Sequence, residues 1–234
     1  VIVQEFSHGA ALATHYRTPR GRELAGLLLD AYVHQLMGAG VFHADPHPGN
    51  LFELPDGRLC FHDFGTIGFL DPASRTAFAL LIEGLVVDDA PTVLDGVVAM
   101  GFITGPIDRR VYVRAISEIL SSLATLPLNE WSMADAIWRV ARIGAGEHFR
   151  LPRHLLVLLR TLFLVENTLR ALDPDLDLMQ ALGARARHMA QTLRQQAVGR
   201  PMHEQLLKSA EQLPVVAMQM LRQLQLDEGR PALS

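Results

Sequence analysis

His43-Ala44-Asp45-Pro46-His47-Pro48-Gly49-Asn50, followed a short way on by Asp63-Phe64-Gly65, is the stretch around which the chain is organised. It holds too much proline, glycine and carboxylate to be helical, and it is too polar to be core. Its flanks are apolar: Leu36, Met37, Val41 and Phe42 precede it, and Leu51, Phe52 and Leu54 follow. A polar loop held between buried elements is the usual setting for a site. Pro46 and Pro48 fix φ and remove two backbone donors, so the loop is stiff. Stiffness suits groups that must meet a ligand with little reorganisation.

The spacing carries chemistry. Asp45 and Asn50 fit D-x-x-x-x-N, and Asp63-Phe64-Gly65 comes one strand pair later. In phosphoryl transfer the first Asp of such a set orients, or takes a proton from, the attacking hydroxyl. The Asn and the second Asp hold Mg2+ on the nucleotide phosphates. Mg2+ takes hard oxygen ligands in octahedral geometry, and one amide oxygen with one carboxylate is a common protein share. Leu51 to Leu54 and Arg58 to His62 read as two short strands, with Pro55-Asp56-Gly57 as the turn between them. Such a hairpin returns Asp63 to the side of Asn50.

HADPHPGN followed by HDFG resembles the UbiB/AarF family of atypical protein-kinase-like proteins. Further stretches share the resemblance: Gly40-Val41-Phe42 before the loop, Thr66-Ile67-Gly68-Phe69-Leu70-Asp71-Pro72 after it, Leu151-Pro152, and the run from Glu166 to Pro174. Val1-Ile2-Val3-Gln4-Glu5-Phe6 resembles the strand and hinge between the lobes of a kinase. The resemblance implies a mainly α fold: a protein-kinase-like C-terminal lobe with short β-hairpins, then a helical extension. The expected divisions are 1–105 for the lobe core, 106–182 for a family-specific helical extension and 183–234 for an amphipathic helical tail. It also implies an ATP-dependent, Mg2+-dependent phosphotransferase or ATPase that supports isoprenoid-quinone (ubiquinone-type) biosynthesis or lipid homeostasis. Asp45 is then the catalytic group, Asn50 and Asp63 the metal ligands, and Glu5 and Phe6 the adenine contacts through hinge backbone. His43, His47, Gly49 and Gly65 support the loop. The implied partners are ATP, a lipid or quinone precursor, and the cytoplasmic face of a membrane, reached through regions outside this chain.

A kinase-like N-terminal lobe carries the phosphate-covering loop, the phosphate-binding Lys and its Glu partner. This chain starts at the hinge, and its one lysine is Lys208. The expectation is a C-terminal-lobe portion whose nucleotide lobe lies elsewhere. Only Thr66 to Leu70 separate Gly65 from the helix start at Asp71-Pro72, and no A-P-E follows, so there is no room for a peptide-binding activation segment. Two other readings are a small-molecule kinase of the aminoglycoside-phosphotransferase or choline-kinase type, which shares H-x-D-x-x-x-x-N, and a lipid-sensing pseudokinase that binds without turnover. The H-x-D-x-H of His43, Asp45 and His47 can also be read as a transition-metal cluster, which the resemblance disfavours.

Composition sets outer limits. At 234 residues, 49% hydrophobic and 20% charged, the chain buries a core of ordinary globular type. A net charge of −4, with basic residues scattered along helices, argues against nucleic-acid binding. The single cysteine, Cys60, lies in an apolar strand and reads as a buried structural thiol rather than a nucleophile. No signal peptide is visible, and no apolar run reaches the ~20 residues of a membrane span.

Along the chain, Ala10 to Tyr16 reads as a short helix broken by Thr18-Pro19-Arg20-Gly21. Arg22 to Gly38 reads as the central helix that delivers the loop, stopped by Gly38 and Gly40. Asp71 caps a helix over 72–87, and Asp88-Asp89-Ala90-Pro91 starts another through Met100. Asp108 to Leu123, Met133 to Gly144, Arg153 to Leu172 and Leu182 to Leu226 complete the helical pattern, and Asp227 to Ser234 reads as a frayed polar end. Glu166 shares an apolar helix face with Leu155, Leu159, Leu162 and Leu169. A carboxylate there needs a partner, expected to be an arginine, in a structural role.

Overall fold

In the computed structural model, which describes residues 8–103, 105–124, 132–143 and 153–185, the helix that leads to the loop starts at Thr18. Its side chain accepts the Gly21 N–H at 3.0 Å, and Pro19 fills the first helical position of α1 (Pro19–Val33). Thr18-Pro19-Arg20-Gly21 is therefore the start of the helix and not a break. The expected helix from Ala10 to Tyr16 is also corrected. Ala10–Ala11 form a short strand, β1, and Leu12–His15 a single 3-10 turn. Pairing of Ala10 with Glu53 and Ala11 with Phe52 outweighs the local helical preference of the alanines.

The last turn after α1, His34–Ala39, is π-helical, and the Gly40 N–H reaches back to the Gln35 carbonyl at 2.8 Å. Gly40 then turns the chain at φ 73°, a conformation that suits glycine. It feeds β2 (Val41–His43). Strand β3 (Leu51–Glu53) pairs antiparallel with β4 (Leu59–Phe61), as the alternating apolar residues and the Pro55-Asp56-Gly57 turn lead one to expect. β1 joins β3 on the other side, giving the order β1-β3-β4. β4 is thus an edge strand, which leaves Cys60 half-buried instead of fully enclosed. Strand β5 (Ile67–Phe69) folds back on β2, with Phe42 opposite Gly68.

Helices α2 (Pro72–Val86), α3 (Ala90–Ala99), α4 (Arg109–Ala124), α5 (Met133–Ala141) and α6 (Arg153–Leu172) follow, close to the expected spans. Asp71 caps α2 by accepting the Ser74 N–H at 2.8 Å. Their apolar stripes meet those of α1 in one core, with Leu24, Leu28, Phe78, Leu81, Leu94, Ile116, Leu155 and Leu158 nearly inaccessible. Residues 178–185 form a further helical stretch tied to α1 by Arg185, whose Nε donates to Asp30 Oδ1 at 2.5 Å. The fold is mainly helical with small antiparallel sheets, and no described helix is long and apolar enough to cross a membrane. The expected hinge at Val1 to Phe6 and the expected tail helix from residue 186 onward lie outside the described residues.

Candidate active site

The loop hangs from β2 and ends in a 3-10 turn, Pro48–Asn50, so both ends are fixed to strands. His43 braces it from inside. The ring is 3% exposed. Its Nδ1 accepts the Asp45 N–H at 3.3 Å, and its Nε2 lies 2.8 Å from the His62 carbonyl. Those partners set the tautomer with the proton on Nε2. Both ring nitrogens are occupied by backbone, which removes His43 from any metal cluster. The Tyr32 hydroxyl donates to the His43 carbonyl at 2.9 Å. Burial, with the nearby Asp45 carboxylate adding to it, holds that phenol well above its usual range, so it stays a neutral donor.

Asp45 turns the loop. Its carbonyl accepts the His47 N–H at 2.7 Å and the Asn50 Nδ2 at 3.1 Å. His47 in turn caps the 3-10 turn, its Nδ1 accepting the Gly49 N–H at 3.1 Å. The Asp45 carboxylate is half-buried, 31% exposed, so it is open to a ligand and not sealed in the core. The hairpin brings Asp63 back as expected. The His62 N–H donates to the Asn50 carbonyl at 2.8 Å, one residue before Asp63. Asp63 then adopts φ 57°, a left-handed conformation uncommon for a residue with a side chain, and its Oδ1 accepts the Gly65 N–H at 3.2 Å. Phe64 is 64% exposed and sets its ring edge against His43, with centroids 5.1 Å apart.

Asn50 is therefore bonded to the Asp45 carbonyl through its side chain and to His62, the neighbour of Asp63, through its main chain, while the His43 and His47 rings and the Gly49 and Gly65 N–H groups take part in bonds within the loop and the D-F-G turn. Glu5 and Phe6 lie outside the described residues. Among the described residues no group of three or more His, Cys, Asp and Glu side chains comes together to cage a metal. Asn50 and Asp63 carry oxygen donors of the type that could hold Mg2+, an ion that takes one or two protein oxygens and fills its other positions with water and substrate phosphate.

Two contacts were not legible in the sequence. Arg160 of α6 places Nη2 2.7 Å from Asp45 Oδ1, and the neighbouring Thr161 shares its hydroxyl proton between the Val157 carbonyl at 2.8 Å and the Ala44 carbonyl at 3.2 Å. A buried threonine beside an arginine in an otherwise apolar helix was the available signal. The second contact adds to the expected arginine partner of Glu166, whose carboxylate also feels the Arg170 charge. This carboxylate is 3% exposed and accepts from the Ser132 hydroxyl and the Met133 N–H, each at 2.6 Å, and from the Ala134 N–H at 3.2 Å. Unpaired N–H groups at a helix start attract a carboxylate as an arginine would. Arg160 also lines a mostly apolar groove of about 690 Å³ between α5 and α6, with Trp138, Leu156, Leu159 and Phe163.

The loop and the D-F-G turn lie within the part of the chain that matches atypical kinase-like proteins. Residues 1–96 match the ABC1 atypical kinase-like domain, and residues 116–177 match the UbiB helical domain; the chain belongs to this ABC1/UbiB family. Among its relatives is an uncharacterised protein of Synechocystis sp. (strain ATCC 27184 / PCC 6803 / Kazusa), 31% identical over 68% of this chain and 27% of the relative. Activity of bc1 complex kinase 1, chloroplastic, of Arabidopsis thaliana is 26% identical over 68% of this chain and 24% of its own length. A chloroplastic aarF domain-containing protein kinase of the same plant is 23% identical over 65% of this chain and 32% of its own length. The chain thus spans about a quarter to a third of these relatives.

Proposed function

We propose that the described residues form the metal- and acceptor-facing half of an ATP-dependent phosphoryl-transfer centre, with the nucleotide-covering lobe supplied by further residues of the same protein. The observation that supports this reading is that Asn50 Nδ2 donates to the Asp45 carbonyl, while the His62 N–H, one residue before Asp63, returns to the Asn50 carbonyl. Asp45 orients the attacking hydroxyl or water. Asn50 Oδ1 and the Asp63 carboxylate would hold Mg2+, which when bound neutralises charge on the phosphates. The left-handed turn at Asp63 would turn its carboxylate towards Asn50, and the His43 ring holds the Asp45 N–H. Glu5 and Phe6 would meet the adenine.

The phosphoryl acceptor is water or an apolar alcohol of the membrane-lipid or quinone-precursor class. Two features favour that over a peptide: only Thr66 to Leu70 separate the D-F-G turn from the Asp71 cap, and the groove beside Arg160 is lined mainly by Trp138, Leu156, Leu159 and Phe163. The protein would act at a membrane surface in support of isoprenoid-quinone or lipid supply, with residues 1–105 as lobe core and 106–182 as helical extension. The experiment is Mg2+-dependent ATP turnover by the protein carrying its nucleotide lobe, with and without lipid vesicles. Asp63→Asn removes the charge that faces the metal and should abolish turnover. Undiminished turnover in that variant would sink the proposal.

A further inference from the structure

We propose that Arg160 is a positioning residue for phosphoryl transfer: its ion pair with Asp45, beside the Thr161 bond to Ala44, locks the loop onto α6 so that the helical region completes the active site. This rests on the reading of Asp45 as the hydroxyl-orienting group. The two residues are 115 apart in sequence and belong to the two separately matched parts of the chain, 1–96 and 116–177. Consecutive residues of α6 grip consecutive residues of the loop: Thr161 the Ala44 carbonyl, Arg160 the Asp45 carboxylate. Thr161 is inaccessible to solvent, so its position is set by packing. The far side of α6 is fixed through Glu166 on the first N–H groups of α5.

The pair adds little to stability. Arg160 is 57% exposed and Asp45 31%, and such surface pairs are largely screened by water. Its consequence is orientation. Arg160 engages Oδ1, and Oδ2 takes no part in that pair. Phosphoryl transfer passes through a loose transition state in which placement of the attacking oxygen matters more than base strength. An arginine that fixes the carboxylate is compatible with that chemistry. Because Arg160 also lines the α5–α6 groove, a molecule seated there touches the residue that sets Asp45.

The test compares Arg160→Met, which keeps the apolar stem, with Arg160→Lys, which keeps a point charge. Both are assayed for Mg-ATP turnover in the protein carrying its nucleotide lobe. Arg160→Met should lower kcat roughly ten- to a hundredfold, the scale of a misplaced catalytic group. KM for ATP should stay within about twofold, because ground-state nucleotide binding is not altered. Arg160→Lys should recover to within about threefold of wild type, since only one N–H···O contact must be replaced. A wild-type kcat in Arg160→Met, a raised KM with kcat intact, or a lysine variant as weak as the methionine one each overturns the inference. If the wild-type protein shows no turnover sensitive to Asp63→Asn, the phosphoryl-transfer reading fails. Hydrogen exchange then judges the lock alone: faster exchange at the amides of Ala44, Asp45, His47, Gly49 and Asn50 in Arg160→Met, with α2 and α3 unchanged, upholds it, and unchanged exchange rejects it.

Discussion

The Glu166 carboxylate accepts the Met133 N–H at 2.6 Å across the start of α5, so one buried acid terminates one helix from inside another. The Ser132 hydroxyl bridges the arrangement. It donates to Glu166 Oε2 and accepts the Asp135 N–H at 3.2 Å as the cap of α5. Without Glu166, the Met133 and Ala134 N–H groups would be buried and unpaired. That cost is what joins α5 to α6, and through α6 to the loop that carries Asp45.

Burial raises the Glu166 pKa, and the Ser132, Ala134 and Met133 bonds with the nearby Arg170 charge only partly offset it. A carboxyl whose folded pKa lies above its unfolded value contributes stability that is full in acid and falls as pH rises through the folded value. Glu166→Gln keeps an acceptor and does not titrate. Wild type should therefore lose stability relative to Glu166→Gln as pH climbs from about 4.5, the ordinary glutamate value, towards neutrality. Glu166→Leu should cost about 2–4 kcal/mol throughout, because it orphans two buried N–H groups. Urea unfolding of the three proteins at several pH values reads both effects. A constant gap between wild type and the glutamine variant would refute the titration.

Much of this architecture was legible because its signals are local. Asp71-Pro72 announces a helix start through a side-chain cap and a fixed φ, Asp89-Ala90-Pro91 announces another through its proline, and the hairpin from Leu51 to Phe61 is announced by its Pro-Asp-Gly turn. The site residues on either side of that hairpin follow from its length. What the sequence hid depends on distant partners. β1 exists because Glu53 and Phe52 offer it an edge, against the helical preference of its two alanines. The pairing of β2 with β5 spans the hairpin, and its three-residue strands carry too little alternation to be read. Arg160 looks like a solvated helix charge until Asp45 is placed beside it, and the bonds from Glu166 to the start of α5 show only once that helix is placed on it.

The cap of α2 gives a second measurement. The Ser74 backbone N–H is the leading cause of the lowered Asp71 pKa. A carboxyl depressed in the folded state contributes stability that is present above its unfolded pKa and is lost as pH falls through the folded value. Asp71→Ala should cost about 1 kcal/mol at pH 7, as lost N-caps do. Asp71→Asn should retain much of the cap and show a smaller loss of stability on acidification below about pH 4. Denaturant midpoints at pH 7 and pH 3 separate the two. Equal acid sensitivity in wild type and Asp71→Asn would count against the cap's titration.

His43 connects the start of the loop to the strand end that precedes Asp63. Its ring spans the Asp45 N–H and the His62 carbonyl inside the core. His43→Ala leaves both backbone groups unpaired and opens a cavity, for an expected loss of about 2–4 kcal/mol. His43→Gln offers one acceptor and one donor and should recover part of it. In both variants Mg-ATP turnover should fall further than stability alone explains, because Asp45 and Asp63 lose their common brace. Comparing kcat at a temperature where each variant remains folded is the check. Full turnover in folded His43→Ala would show that the loop holds its shape without the ring.

Gly68 is required by Phe42. A Cβ on Gly68 would lie 2.1 Å from Phe42 Cζ, and Phe42 is 2% exposed, so the ring has no room to withdraw. The contact crosses the β2–β5 pair, where the two residues stand opposite each other. Gly68→Ala should cost about 1–3 kcal/mol by overpacking. Phe42→Leu alone should cost a similar amount by leaving a void, since the core around the ring does not collapse fully. If the clash is the cause, the two changes compensate, and the double variant is more stable than the sum of the singles by about 1 kcal/mol or more. Additive losses in that cycle would place the demand for glycine in the backbone of β5 rather than in the aromatic ring it faces.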